Sequence, residues 1–214
     1  MTEEYRNQFF SRILKLNYTQ GPFILKVAKI SLLCVFSLLA GYFLHFAFPA
    51  DNDSTALIKE HFSTFFENFQ LNDALSVSVT FTLFDTICIL LSALLGFTML
   101  SGVIGKTVVI LYSARLGTVV SYIADTLPSA EENGVIITAV VLFVLSKAII
   151  LFALVFTEVK SEFFSYEFCE IFKKKRHPFL EKDTTNYLIF SASTAGFAAI
   201  INTLYLLFRY LMTI

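Results

Sequence analysis

Five stretches of this chain, Phe23–Phe48, Leu75–Met99, Val103–Ile123, Val135–Phe156 and Tyr187–Met212, are long and almost wholly apolar. Wound as a helix, an apolar run of about 20 residues matches the thickness of a bilayer core. Lipid offers no hydrogen bonds, so each run must satisfy its own backbone, and a membrane-spanning helix does so. Only 15% of the 214 residues are charged, against about 25% in a soluble domain, too few to cover a surface facing water. The expected fold is therefore all-α: one integral membrane domain, 1–214, built as a polytopic bundle of five transmembrane helices.

The segments between the runs add detail. Thr2–Gln20 is polar and basic, with Phe9, Ile13 and Leu16 at helical spacing. It reads as a short amphipathic helix on the membrane surface, separated from the first span by Gly21-Pro22. That span is too long and starts too far in for a signal peptide. Phe48 also stands where a small residue is needed before a cut after Ala50, so the span reads as an uncleaved anchor. In the following loop, Asp53 or Ser54 can cap an external amphipathic helix whose apolar face carries Ile58, Phe62, Phe65 and Phe69. This helix reads as resting on lipid or on the bundle, with partner docking as the alternative. Ser101-Gly102 is the expected break between the second and third spans, and Asp125–Gly134 between the third and fourth.

Glu158–Arg176 reads as a cytoplasmic extension of the fourth helix, ended by Pro178. Its acids, Glu158 to Glu170, precede its bases, Lys173, Lys174, Lys175 and Arg176, in the order that suits the helix dipole. The basic run can bind anionic lipid headgroups at about 1 kcal/mol per charge, or act only as a topology signal. Lysines and arginines set orientation. With the N-terminus inside, the inner segments hold Arg6 through Lys29, Lys106, Lys160 and Lys173 through Lys182, leaving only Lys59 and Arg209 outside. The N-terminus is thus expected in the cytoplasm, the C-terminus outside, and the outer face acidic. Charges sorted by loop make no basic face for nucleic acid.

Three ionisable residues, Asp85, Arg115 and Lys147, each fall near the middle of a different apolar run, and the three runs are consecutive. At 1.5 Å per residue each lies about 15–18 Å from a membrane face, near the midplane of a core roughly 30 Å thick. A charge there is expensive and normally pairs or faces water. The expectation is an intramembrane cluster in which Asp85 pairs with Arg115, whose guanidinium can bond bidentately, and Lys147 is left to find another partner. Small residues four apart in the fifth span, Ala192 with Gly196 and Ala195 with Ala199, mark a close helix contact. Packing within the bundle is preferred there, with a homo-oligomer seam as the alternative.

Chemistry of other kinds is missing from the sequence. It contains no phosphate loop, no G-x-S-x-G and no H-E-x-x-H. Cys34, Cys88 and Cys169 have no paired spacing, and His45, His61 and His177 lie in unrelated segments. No enzyme activity, cofactor or metal is expected.

The order of parts resembles the stage II sporulation protein M family along nearly the whole chain. A short basic N-terminus leads to a span with Gly41 near its outer end, then a Phe-rich helix, His61–Phe69. A second span carries Phe84-Asp85 with Gly96 beyond it, and a third carries Ser113-Ala114-Arg115-Leu116-Gly117. A fourth span, a basic stretch and a last span follow. Asp85 replaces the family's common Asn, and Ser113-Ala114 its Asn-Gly. The resemblance implies a scaffold in a bacterial cytoplasmic membrane that localises peptidoglycan-degrading partners during sporulation engulfment. A small transporter, or the membrane subunit of one, using Asp85, Arg115 and Lys147 is the alternative that the charges themselves leave open.

Overall fold

The computed structural model describes residues 3–47, 71–126, 134–174 and 180–213. Among them are five α-helices and no strand: α1 (Glu3–Ala47), α2 (Leu71–Leu95), α3 (Lys106–Thr126), α4 (Gly134–Lys174) and α5 (Leu180–Thr213). A π-helical turn, Ser101–Gly105, leads directly into α3. Four of the helices hold segments long and apolar enough to cross a membrane: Phe23–Leu44, Ser101–Ala124, Val140–Tyr166 and Thr184–Phe208. In α2, Val79–Leu95 is a shorter apolar helix. The helix expected to carry Ile58, Phe62, Phe65 and Phe69 lies outside the described residues.

Two expected breaks fall elsewhere. First, α1 runs unbroken through Gly21-Pro22. Proline removes one N–H at a cost of about 3 kcal/mol, and the long apolar run beyond it sustains the helix. Second, the chain leaves α2 at Gly96 rather than at Ser101-Gly102. Tight turns close there, from Gly96 N–H to the Ala93 carbonyl at 3.0 Å and from Thr98 N–H to the Leu95 carbonyl at 2.9 Å. A side chain at Gly96 would run into the Tyr187 hydroxyl, so the turn and the seat of α5 depend on the same glycine.

In α2 and α4 apolar residues cover the whole circumference. A helix of that kind is enclosed by protein on one side and lipid on the other. The shared core takes Ile30 from α1, Ile89 from α2, Val109 from α3, Leu154 from α4 and Ala198 from α5. Outward, Phe36, Leu83, Leu111, Phe152 and Ile200 are all more than half exposed. Only lipid or further protein covers such a surface, which marks the chain as a membrane protein. The packing has two flanks, α1 on α3 and α2 on α5, and α4 touches all four of those helices.

α1 and α3 approach backbone to backbone. A Cβ on Gly41 would overlap the Ala114 carbonyl, and one on Gly117 would overlap the Leu38 carbonyl. Ser37 and Gly41, like Ser113 and Gly117, are four apart, the spacing that lets membrane helices approach backbone to backbone. The sequence pattern in α5 pointed to a different place. Ala195 is buried, whereas Ala192 is exposed, Ala199 is half-buried, and a Cβ on Gly196 would meet nothing within 4 Å. Small size permits close approach without requiring it.

Gly41→Val or Gly117→Val should lower stability by about 1–3 kcal/mol through overpacking. Gly196→Ala should stay within about 0.5 kcal/mol. Thermal unfolding of the detergent-solubilised protein separates these cases, and equal losses at Gly117 and Gly196 would contradict the assigned crossing.

Candidate functional site

Four helices each send one polar side chain to a common point. Asp85 comes from α2, Tyr112 from α3, Lys147 from α4 and Asn202 from α5, all 5% exposed or less. Lys147 Nζ lies 2.5 Å from Asp85 Oδ2 and donates to Asn202 Oδ1 at 3.0 Å. Asn202 Nδ2 donates to Asp85 Oδ2 at 2.8 Å. On the other oxygen, the Tyr112 hydroxyl donates to Asp85 Oδ1 at 2.9 Å. The carboxylate thus accepts three hydrogen bonds, and the Asn202 amide both donates and accepts within the network. Desolvating two charges costs several kcal/mol each, and only good geometry with further hydrogen bonds offsets it. Here both requirements are met inside the chain.

The pairing differs from the expected one. Arg115 is exposed, makes no ion pair among the described residues, and lies 3.9 Å from the centre of the Phe84 ring and 5.9 Å from that of Phe81. Lys147, expected to lack a partner, holds Asp85 instead. Helix order is the reason. Equal depth does not make neighbours, and α2 packs on α5 and α4 far more than on α3. The partners of Asp85 therefore come chiefly from those two helices, while from α3 the long Tyr112 side chain reaches across. Sequence reasoning did not assign Tyr112 or Asn202 to the cluster; the available signal was an amide and a phenol inside apolar runs.

Aromatic rings close in around the ammonium. Lys147 Nζ sits 4.7 Å from the Phe81 ring centre and 5.6 Å from that of Phe143. Such faces attract cations most strongly where water is excluded. Phe81, Phe84, Tyr112, Arg115 and Lys147 also border a cleft of about 20 Å³, room for about one water molecule. Among the described residues no three His, Cys, Asp or Glu side chains come together as metal ligands.

No known family model, curated protein or solved structure matches this chain. The functional reading therefore rests on its own residues.

A second polar group lies further along α4. Lys26 of α1 and Lys106 of α3 both reach Glu162 Oε1, at 3.2 and 3.5 Å. Beside them, serines tie α4 to the α2–α3 connection. Ser161 Oγ donates to the Ser92 carbonyl at 2.7 Å and lies 2.8 Å from Ser101 Oγ, and Ser165 Oγ donates to the Thr98 carbonyl. The Tyr187 hydroxyl reaches the Ala93 carbonyl at 2.5 Å. Backbone carbonyls left free where a helix ends need such donors, and α4 and α5 supply them. Of the basic run, Lys173 and Lys174 end α4, whereas Lys175 and Arg176 lie outside the described residues.

Asp85→Asn leaves the Lys147 ammonium buried without a counter-charge and should cost about 3–5 kcal/mol. The double variant Asp85→Asn/Lys147→Met should regain much of that loss. Unfolding midpoints of the single and double variants measure the difference; equal losses would show that the ion pair does not hold the bundle.

Proposed function

We propose that the protein is a membrane scaffold that holds partner proteins, and that Arg115 is its point of attachment within the membrane. The carrying observation is the contrast between two cations. Lys147 is enclosed, with its counter-charge, Asp85, and an amide acceptor, Asn202, both supplied from within the chain. Arg115 lies within an apolar helix, exposed, with only the edge of an aromatic cleft against it. An exposed guanidinium at mid-span is costly in lipid, and a carboxylate on a partner's transmembrane helix removes that cost through a bidentate pair. Asp85 is paired with Lys147 instead.

The wider reading follows the resemblance to the stage II sporulation protein M family. In it α2, 25 residues long, is the fifth span, since such a helix is roughly 37 Å in length. The N-terminus lies in the cytoplasm of a bacterial cell and the C-terminus outside. The partners are cell-wall hydrolases, met through their membrane anchors and through the Ile58, Phe62, Phe65 and Phe69 face. Lipid headgroups meet the Lys173–Arg176 run.

One observation favours transport as a second reading: charges from several helices converge beside a cleft. Against it, the cleft has room for about one water, and two of the three charges beside it, Asp85 and Lys147, are already joined to each other.

Purification from the native host in mild detergent tests the scaffold. A wall-active protein should co-purify with the wild type, fall about tenfold or more with Arg115→Leu, and be partly kept with Arg115→Lys. Recovery of the wild type without any such protein would count against the reading. So would solute flux in vesicles that Asp85→Asn abolishes while folded yield is unchanged.

A further inference from the structure

The lock at Asp85 leaves two buried acids of α4, Glu158 and Glu162, unexplained, and Glu158 is the more unusual of the two. Its side chain is fully buried, and neither carboxylate oxygen has a hydrogen-bond partner. Glu162, one turn further along the same face, also keeps Oε2 buried and unpartnered. Each acid lies against a glycine of the π-helical turn. A Cβ on Gly105 would collide with the Glu158 carboxyl, and one on Gly102 would come within 3.3 Å of Glu162 Oε1. Turns of this kind recur at functional sites, and this one leaves a carboxyl group pressed onto bare backbone.

The charges around Glu158 can be taken helix by helix. Glu162 stands on its own helix, Lys106 on α3, Lys26 on α1 and the Tyr187 phenol on α5. Both lysines approach the same oxygen of Glu162, and both are about one-third exposed, at 31% and 35%. Their contacts go to Glu162 and their charge is partly screened by water, so Lys106 offsets only part of the burial of Glu158. The Tyr187 hydroxyl is engaged with the Ala93 carbonyl. A bare carboxylate in such a place costs several kcal/mol, and a buried group without a partner escapes that cost by becoming neutral. A metal ion is the poorer fit, because it needs a shell of several oxygens where the Gly105 backbone already touches the acid.

We propose that Glu158 and Glu162 form a binding site for a single proton, carried on Glu158 and facing the π-helical turn. Glu162 is the acid that Lys26 and Lys106 pair with. Loss of the proton puts an uncompensated charge between α4 and the turn that connects α2 to α3. Proton occupancy and the position of that connection are therefore linked. This site is independent of whether Arg115 binds a partner.

Infrared difference spectra of the full-length protein in lipid nanodiscs test the proposal. Selective carbon-13 labelling of glutamate separates its carboxyl bands from that of Asp85. The wild type should show a protonated glutamate band at neutral pH that disappears on raising the pH. Glu158→Gln, which imitates the neutral acid, should fold as the wild type does and lose the band. Glu162→Gln should keep it but release the proton at lower pH, since a repelling charge is gone and two lysines are freed. A wild type with no such band, or a band that survives in Glu158→Gln, would overturn the proposal. So would removal of the wild-type band by sodium or potassium at constant pH, which would make the site one for a metal ion.

Discussion

A carboxylate kept from water has to gather its own solvent, and Asp85 does so with one donor from each of three other helices. Ammonium, amide and phenol take the place of a hydration shell. The arrangement ties α2, α3, α4 and α5 to one point, because each donor works only at a hydrogen-bonding distance. Apolar contact between lipid-facing helices has little preference for register: a Leu on one turn packs much like a Leu on the next. A four-helix polar contact tolerates no such slip. The role is specification of one arrangement more than raw stability, since a well-packed apolar replacement can match a buried ion pair in energy.

The same helix carries both polar centres. Lys147 and Glu158 are eleven residues apart on α4, roughly 16 Å along its axis. Between them lie Ile150, Leu154 and Val155, all buried. The middle of α4 therefore carries two polar fixtures with a dry section between. The first fixture has its two charges paired, and the second keeps three oxygens without partners. A rigid element held at one such point and under-satisfied at the other can pivot about the first when the second changes its charge.

Much of this architecture is legible in the sequence, because apolar runs of membrane length leave the backbone no alternative to helix. The order of helices around α4 is not. Asp85 and Lys147 stand out as charges among aliphatic residues, yet depth along a helix says nothing about which helix lies beside it. Arg115 looked the better partner for Asp85 on chemical grounds, and the packing of α2 against α5 and α4 decided otherwise. Spacing of small residues is similarly ambiguous. Ser113 to Gly117 and Ala192 to Gly196 have the same form, but a backbone carbonyl fills the space at Gly117 and nothing fills it at Gly196. Asn202 and Tyr112 carry no formal charge to draw attention, and their importance comes from what they touch.

The lock also bears on how the chain is made. Asp85 is separated by 62 residues from Lys147 and by 117 from Asn202. At synthesis rates of about 5–20 residues per second, the ribosome needs roughly 3–12 s to go from the first to the second. During that interval α2 carries a charge whose counter-ion does not yet exist, and α3 brings only Arg115. The apolar run of α1 from Val35 to Leu44 carries no charge, so α1 can settle in lipid alone and wait for Gly117 to arrive. The later helices lack that freedom, since the partners of Asp85 are complete only once α4 and α5 have been made.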